Sequence, residues 1–488
     1  MTIDVLHPLI HSLTKSEKRY CRLTTGGSGV DKGFLRLFDC LLAHDTLNEE
    51  LTAELDRQFP GSTLEPARKH LYRVVMQRLR QFEQNQRVEV RIGQLLHDSQ
   101  ILYERGLVQA SQDQLEKARL LAQQHERGLY AVLAARQQAE QWVRLQFDGV
   151  DEPALASLHD QIRQQLDQSQ AALQHAALYE TLLFRYQARG VVGSPADTLR
   201  LNDLLLEEYQ LLNRQTRTGP SRRSFALLQQ HLHFQSAYFR MIGDGAGSLR
   251  VYRELETLFA RNPTLWTHQP LYYVQLLEGI LADLRLLEQY EAMPYFIDRL
   301  RRIDTPVQGL NRLVPYLALY FSLLRLVDAQ HYTDAVALLA PYQADPAGFE
   351  RELSQLPMTT RTEFDLLLVR LNLGLGQLSA GLHRLNRVLA LPARSLPGTL
   401  YTQSRLLNLL LHARLGNADY LTHALRSVER KRKNKASAGE QLVTDLLRQW
   451  LSGRLTKGSL DRIDTFSGSP ADRQLLRNLD VRDWIIRR

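Results

Sequence analysis

The stretch LGNADYLTHALRSVER, residues 415–430, decides how the rest of the chain is read. A turn comes first, a hydrophobic or Tyr residue and a small residue follow, and an apolar stripe, here Tyr420/Leu421, Ala424/Leu425 and Val428, recurs at helical spacing. The same phrase appears in ERGLVQASQDQLEKARLLAQQ (104–124), AQHYTDAVALLAPY (329–342) and LGQLSAGLHRLNRVLAL (375–391). It is the pattern expected of the second helix of a helical hairpin, whose small residues let it approach the first helix closely. Gly376 and Gly416 lie 40 residues apart. Other junctions are less regular, so any repeat is degenerate.

At 488 residues the chain exceeds one hydrophobic core and must form several domains or an elongated array. Leu, Ala, Gln, Arg and Glu dominate, the bias of good helix formers. The net charge of +8, from 61 basic and 53 acidic residues, suits a soluble protein and does not demand a polyanion. Two cysteines, Cys21 and Cys40, exclude a disulfide framework and read as small core residues in a reducing compartment. Asp4, His7, Pro8 and His11 interrupt the N-terminus where a signal peptide needs an unbroken apolar run. The most apolar window, Leu313 to Val327, is shorter than a bilayer span and contains Pro315 and Arg325. These features predict a cytoplasmic protein without a membrane span.

Helix starts are marked by hydroxyl–carboxylate pairs at N-cap and N3: Thr14 with Glu17, Thr46 with Glu49, and Ser62 with Glu65. Ser194-Pro195 and Ser469-Pro470 place proline at the first helical position. Leu64, Ala67, Leu71, Val75, Leu79 and Phe82 form one apolar stripe, and Phe364, Leu367/Leu368, Leu371 and Leu375 another. Each predicts a helix with one face to bury. RVEVRIG at 87–93 alternates like a strand but sits between helical patterns and is read as a helix or helix junction. The prediction is an all-α, TPR-like α-solenoid of antiparallel helix pairs, roughly twenty helices in all. Its expected divisions are an N-terminal helical cap at 1–100, a repeat array at 101–435 and C-terminal capping helices at 436–488.

The phrases LTKSEKRYCRL near the start, KHLYRVVMQRLR (69–80), LFARNPTLWTHQPLYYVQLLEGIL (258–281) and RLLNLLLHARLGNADYLTHALRSVERKRKNK (405–435) resemble the uncharacterised TPR-like helical-repeat proteins of Bacteroidota. The likeness runs along almost the whole chain. It implies architecture and supplies no functional residue.

Catalytic and cofactor motifs do not assemble. TTGGSGVDKG (24–33) and GDGAGS (243–248) lack the strand and spacing of a phosphate loop and read as interhelical turns. His7 and His11 are four apart, a metal-ligand spacing, but Pro8 speaks against a helix through both and no further ligand completes a site. His231, His233 and His423 show no ligand spacing. Glu207-Glu208 and Glu49-Glu50 read as halves of surface ion pairs. No enzyme, cofactor or metal is therefore expected. The aromatics, as in YFRMI (238–242) and LYYVQLL (271–277), serve inter-helix packing or a peptide groove.

One stretch stands out chemically. Arg426, Arg430, Lys431, Arg432, Lys433 and Lys435 crowd the end of the helix that begins near Ala418, and three of the chain's nine lysines lie among them. A helix C-terminus attracts cations, yet so many form a candidate partner-binding patch. Further basic residues sit at Lys15, Lys18, Arg19 and Arg22 and at Arg487 and Arg488. The expected function is a non-catalytic protein–protein interaction scaffold or adaptor for a protein or peptide partner. The alternative is a nucleic-acid-binding or regulatory protein using residues 426–435.

Overall fold

The computed structural model describes the whole chain except residues 1, 24–31, 45, 84–86, 190, 193–198, 200, 218–223, 268–269, 306, 393–394, 432–436, 457 and 483–488. Among the described residues all regular structure is helical: twenty-five α-helices, two short 3-10 turns and no strand. The chain divides into two compact units, Met1–Ser169 and Gln170–Arg488.

The first unit opens with α1 (Ile3–Ser12), α2 (Lys15–Leu23), α3 (Lys32–Ala43), α4 (Glu49–Gln58) and α5 (Leu64–Glu83). Leu6, Ile10, Phe34, Leu37, Phe38, Leu41 and Leu71 form their core, with Cys21 and Cys40 unpaired inside it. The Thr14–Glu17 box forms reciprocally: Thr14 N–H donates to the Glu17 carboxylate at 2.7 Å and Glu17 N–H to Thr14 Oγ1 at 3.2 Å. The second box does not form as expected. Asn48, and not Thr46, caps α4 by accepting from Leu51 N–H at 2.9 Å, which sets the cap three residues before the first buried leucine. A 3-10 turn at Gly61–Thr63 precedes α5, and the Ser62 side chain and Ser194-Pro195 lie outside what is described.

Pro8 does not break α1, contrary to the sequence expectation. The ring fills one position of a ten-residue helix, at the cost of one hydrogen bond, while Leu6, His7 and Ile10 hold the helix against the core. His7 and His11 do share a face. Their Nε2 atoms donate to the carbonyls of His44 (2.7 Å) and Leu41 (2.8 Å), so they satisfy groups at the end of α3.

Next come α6 (Val88–Glu104), α7 (Val108–Gln124), α8 (Gly128–Arg144) and α9 (Glu152–Arg189). Helix α7 packs on both α6 and α8. The alternating RVEVRIG segment is the N-cap and first two turns of α6, with Val88 and Ile92 buried one helical turn apart.

The second unit continues with α10 (Asn202–Arg217), α11 (Phe225–Met241), α12 (Gly245–Arg261), α13 (Pro263–Trp266), α14 (Leu271–Leu286) and α15 (Met293–Arg301). Then follow α16 (Gln308–Asp328), α17 (Tyr332–Gln343), α18 (Pro346–Ser354), α19 (Met358–Gly374) and α20 (Leu378–Leu389). Helices α21 (Gly398–Arg414), α22 (Ala418–Lys431), α23 (Ala438–Leu451), α24 (Gly458–Asp464) and α25 (Pro470–Leu479) complete it. Ser469 caps α25 with Pro470 at its first turn, as the sequence predicts.

One turn geometry recurs between successive helices. Gly243, Glu288, Gln330, Gly376 and Gly416 all have left-handed φ, from 58° to 79°. The next residue donates its N–H back across the turn, as from Asp244 to Phe239 O (2.8 Å), Gln289 to Leu284 O (2.8 Å), His331 to Leu326 O (2.9 Å) and Gln377 to Asn372 O (2.8 Å). Five residues past the turn residue the chain is buried at Ser248, Met293, Ala335, Gly381 and Leu421. Where that residue is serine, its hydroxyl clasps the first helix: Ser248 Oγ donates to Ser236 O at 3.1 Å, and Ser111 in the first unit donates to Ser99 O at 2.8 Å. Both bonds join residues twelve apart, seven before and five after the turn glycine in each hairpin. Glycine is not obligatory at the turn. Glu288 and Gln330 hold it at a cost of about 1–2 kcal/mol each, which is why glycine-based reading finds only part of the series.

First helices of successive hairpins touch one another: α14 meets α16, α16 meets α19, α19 meets α21, and α21 meets α23. Flanked on several sides, they are buried around their circumference. Helix α19 buries Phe364 through Leu371 without interruption, where its sequence stripe implied a single face. Second helix α20 keeps one buried face, Gly381, Leu385 and Val388. Helix α16, through Pro315, is long and apolar enough by length and composition to cross a membrane, and half of that window is buried inside the protein.

Candidate functional site

Charged groups interrupt the apolar helices of the second unit where packing alone would place leucine. Arg240 on α11 reaches Asp283 on α14, 43 residues later, with Nε 3.3 Å from Oδ1. Arg285, two residues beyond Asp283, repeats the step: its Nε and Nη2 donate to Asp328 at 2.6 and 3.2 Å, again 43 residues on. Arg370 on α19 donates to the same carboxylate at 2.8 Å from 42 residues further along. The side chains of Asp328 and Arg370 are 2% and 4% exposed. Burying three such ions is costly unless each is paired and hydrogen-bonded, and the two arginines sharing Asp328 provide that pairing. Burial would raise the Asp328 pKa, but the charges and hydrogen bonds of Arg285 and Arg370 outweigh it and hold it at about 2.

The C-terminal helix docks on this charged row. Arg285 Nη1 donates to Asn478 Oδ1 at 2.8 Å, and Asn478 Nδ2 donates to Gln403 Oε1 on α21 at 3.4 Å. Arg477 donates to the carbonyls of Arg285 (2.7 Å) and Leu286 (3.3 Å) at the end of α14, the first of which also accepts from Glu288 N–H, and forms an ion pair with the turn residue Glu288. Leu476, Leu479 and Val481 sink into the core beside them. A glutamate at a left-handed turn thus gains a partner that glycine would not have.

Between these groups lies a cavity of about 80 Å³ lined by Arg285, Tyr320, Glu363, Arg370, Gln403 and Asn478 among others. Pockets for cofactors and metabolites run to roughly 300 Å³ or more, so this one has room only for a few waters. Arg370 Nε is buried here with no hydrogen-bond partner among the described residues, a donor that such a water can satisfy. Burial, and then the charge of Glu278, push the Glu363 pKa up to about 7 against the opposing charge of Arg285.

This gives Glu363 a sign opposite to Asp328. A carboxyl whose folded pKa lies above its unfolded value weakens the fold progressively as pH rises from about 4.5 to 7. Glu363→Gln is expected to leave stability unchanged at pH 4 and to raise it by about 1–3 kcal/mol at pH 8, as read from urea midpoints at the two pH values. A gain equal at both would refute the assignment.

The residues chosen from sequence lie elsewhere. Arg426 is exposed on α22, and α22 ends at Lys431. The side chains of Arg430 and Lys431, and the whole of Arg432, Lys433 and Lys435, lie outside the described residues, as do Arg487 and Arg488. Lys15, Lys18, Arg19 and Arg22 belong to the first unit, where Arg22 pairs with Asp39 at 2.6 Å. Sequence reading missed the buried row, whose signal is a lone charge inside an apolar run: Asp283 and Arg285 in LADLRLL, and Arg370 in LLLVRLNL.

Among the described residues, two side-chain groups have metal-ligand chemistry: Cys40 with His44 and Glu54, and His175 with Glu208 and His231. His231 and His233 diverge on α11. The ring of His233 packs among Tyr179, Phe259 and Tyr272, and burial followed by the charge of Arg240 lowers its pKa to about 3. Glu208, expected in a surface ion pair, is buried against His231 instead.

Comparison with protein-family models, curated proteins and solved structures finds no match for this chain.

Proposed function

We propose that this protein is a non-catalytic interaction scaffold of the TPR-like class, its second unit a degenerate array of helical hairpins that binds a helical segment of a protein partner. The observation that carries this reading is the way α25 is held. A short helix lies on α14 and α21, anchored by leucines and oriented by Arg477 and Asn478 on carbonyl and amide groups. That is helix-in-groove recognition performed within one chain. Large exposed apolar residues give additional support: Leu173 and Phe184 on α9, and Leu206 and Tyr209 on α10.

Affinity purification of the full chain from its native extract, with cross-linking, is expected to recover a stoichiometric protein partner. Ala substitution of Phe184 and Tyr209 should reduce that recovery without changing the melting temperature. Recovery of no stoichiometric partner would count against the scaffold. Nucleic acid recovered with steep salt dependence, and lost when Lys431, Arg432, Lys433 and Lys435 are changed to Gln, would replace it with the polyanion reading.

A further inference from the structure

Three helices that are distant in sequence bring His175 (α9), Glu208 (α10) and His231 (α11) together inside the second unit. His175 is fully buried and Glu208 is 4% exposed. His231 Nδ1 lies 2.5 Å from Glu208 Oε1, and the His175 ring meets that of His231 edge-on with centroids 6.1 Å apart. One ligand atom from each residue lies within 4.8 Å of the other two.

Two imidazoles and a carboxylate converging in a buried site form a ligand set for zinc-like ions, which take His nitrogen at about 2.0–2.1 Å and carboxylate oxygen at about 2.0–2.2 Å. Around one tetrahedral ion those atoms stand roughly 3.3 Å apart. The His231–Glu208 spacing of 2.5 Å is shorter than that and all three ligand atoms lie within 4.8 Å of one another, so side-chain rotation is needed to seat an ion. Nitrogen donors argue against calcium and magnesium, which prefer oxygen.

We propose that His175, Glu208 and His231 bind one divalent cation of the zinc class, with a solvent molecule completing the coordination. The ion would tie α9, α10 and α11 together beside the small core of Leu178, Leu182, Leu204, Leu211 and Phe234. It is a site independent of the scaffold reading, which neither requires nor excludes it.

The test uses the full chain, stripped with chelator and titrated with Zn²⁺ in a calorimeter, with Co²⁺ as the spectroscopic probe. The expected result is one ion per chain and visible ligand-field bands without a near-ultraviolet thiolate charge-transfer band. Glu208→Gln and His175→Ala should each weaken binding by about tenfold or more, while Cys40→Ser leaves it unchanged. Should His175→Ala fail to fold, the nearly isosteric Glu208→Gln variant and the wild-type Co²⁺ spectrum still decide. Absence of binding by the wild-type chain would overturn the site, as would binding undiminished in Glu208→Gln. A thiolate band abolished by Cys40→Ser would move the metal to Cys40, His44 and Glu54 and overturn it equally.

Discussion

Asp328→Ala is expected to lower the unfolding free energy by about 3–5 kcal/mol, the effect of leaving two buried guanidinium groups without their shared carboxylate. Arg285 loses both of its bonds to α16 and Arg370 loses its link to α16. The triple replacement Arg285→Met, Asp328→Leu, Arg370→Met should recover most of that loss, because no charge then remains to be solvated. Denaturant midpoints of the three proteins check both statements, and a loss below about 1 kcal/mol in the single variant would contradict the burial of the pair. The pH dependence has a definite sign. Asp328 has a folded pKa of about 2, below its unfolded value, so its stabilisation is complete above about pH 4 and disappears as pH falls from 4 to 2. Its size is about 2.5 kcal/mol.

Phe364→Ala is expected to cost a similar amount, about 3–5 kcal/mol, by a different route. The ring is fully buried on α19 and meets Tyr316, Tyr320 and Phe349 at centroid distances of 6.0 to 6.5 Å. Removing it opens a cavity next to Glu363 and one to two turns from Arg370, so α19 loses its alignment with Asp328 as well as packing area. Phe364→Leu keeps most of the volume and should cost less than half as much. Equal losses in the two variants would show that ring shape, and not the filled volume, sets the stability. Thermal melts of the two proteins alongside wild type distinguish these outcomes.

Helix content was legible because it depends on local chemistry. The Thr14–Glu17 box, the Ser469-Pro470 start and the stripe through Leu71 and Val75 each need only a few neighbouring residues, and each forms as read. Thr46 was outcompeted by Asn48 because two residues within one turn could both cap, and the buried Leu51 chose between them. Pro8 was overruled because tertiary packing at Leu6 and Ile10 offsets one lost hydrogen bond. The buried row was hidden for a different reason. Turn residues Gly243, Glu288 and Gln330 are unevenly spaced, while the Arg240–Asp283 and Arg285–Asp328 pairs keep a separation of 43. The acceptor shifts along its helix as the hairpins change length, so the constant separation of the pairs does not follow the spacing of the turns. The histidine group lies further from reach, since His175, Glu208 and His231 meet only after three helices have folded.

The recurrent turn has a consequence for how far such a chain can drift and still fold. What each hairpin holds constant is a backbone N–H returned to a carbonyl and one buried position five residues later. The occupant of the turn itself varies among glycine, glutamate and glutamine. Two hairpins can therefore lose almost every shared letter and keep the same bend, because the information is written in hydrogen-bond geometry more than in residue identity. A chain built this way can outrun sequence comparison long before it outruns its own architecture.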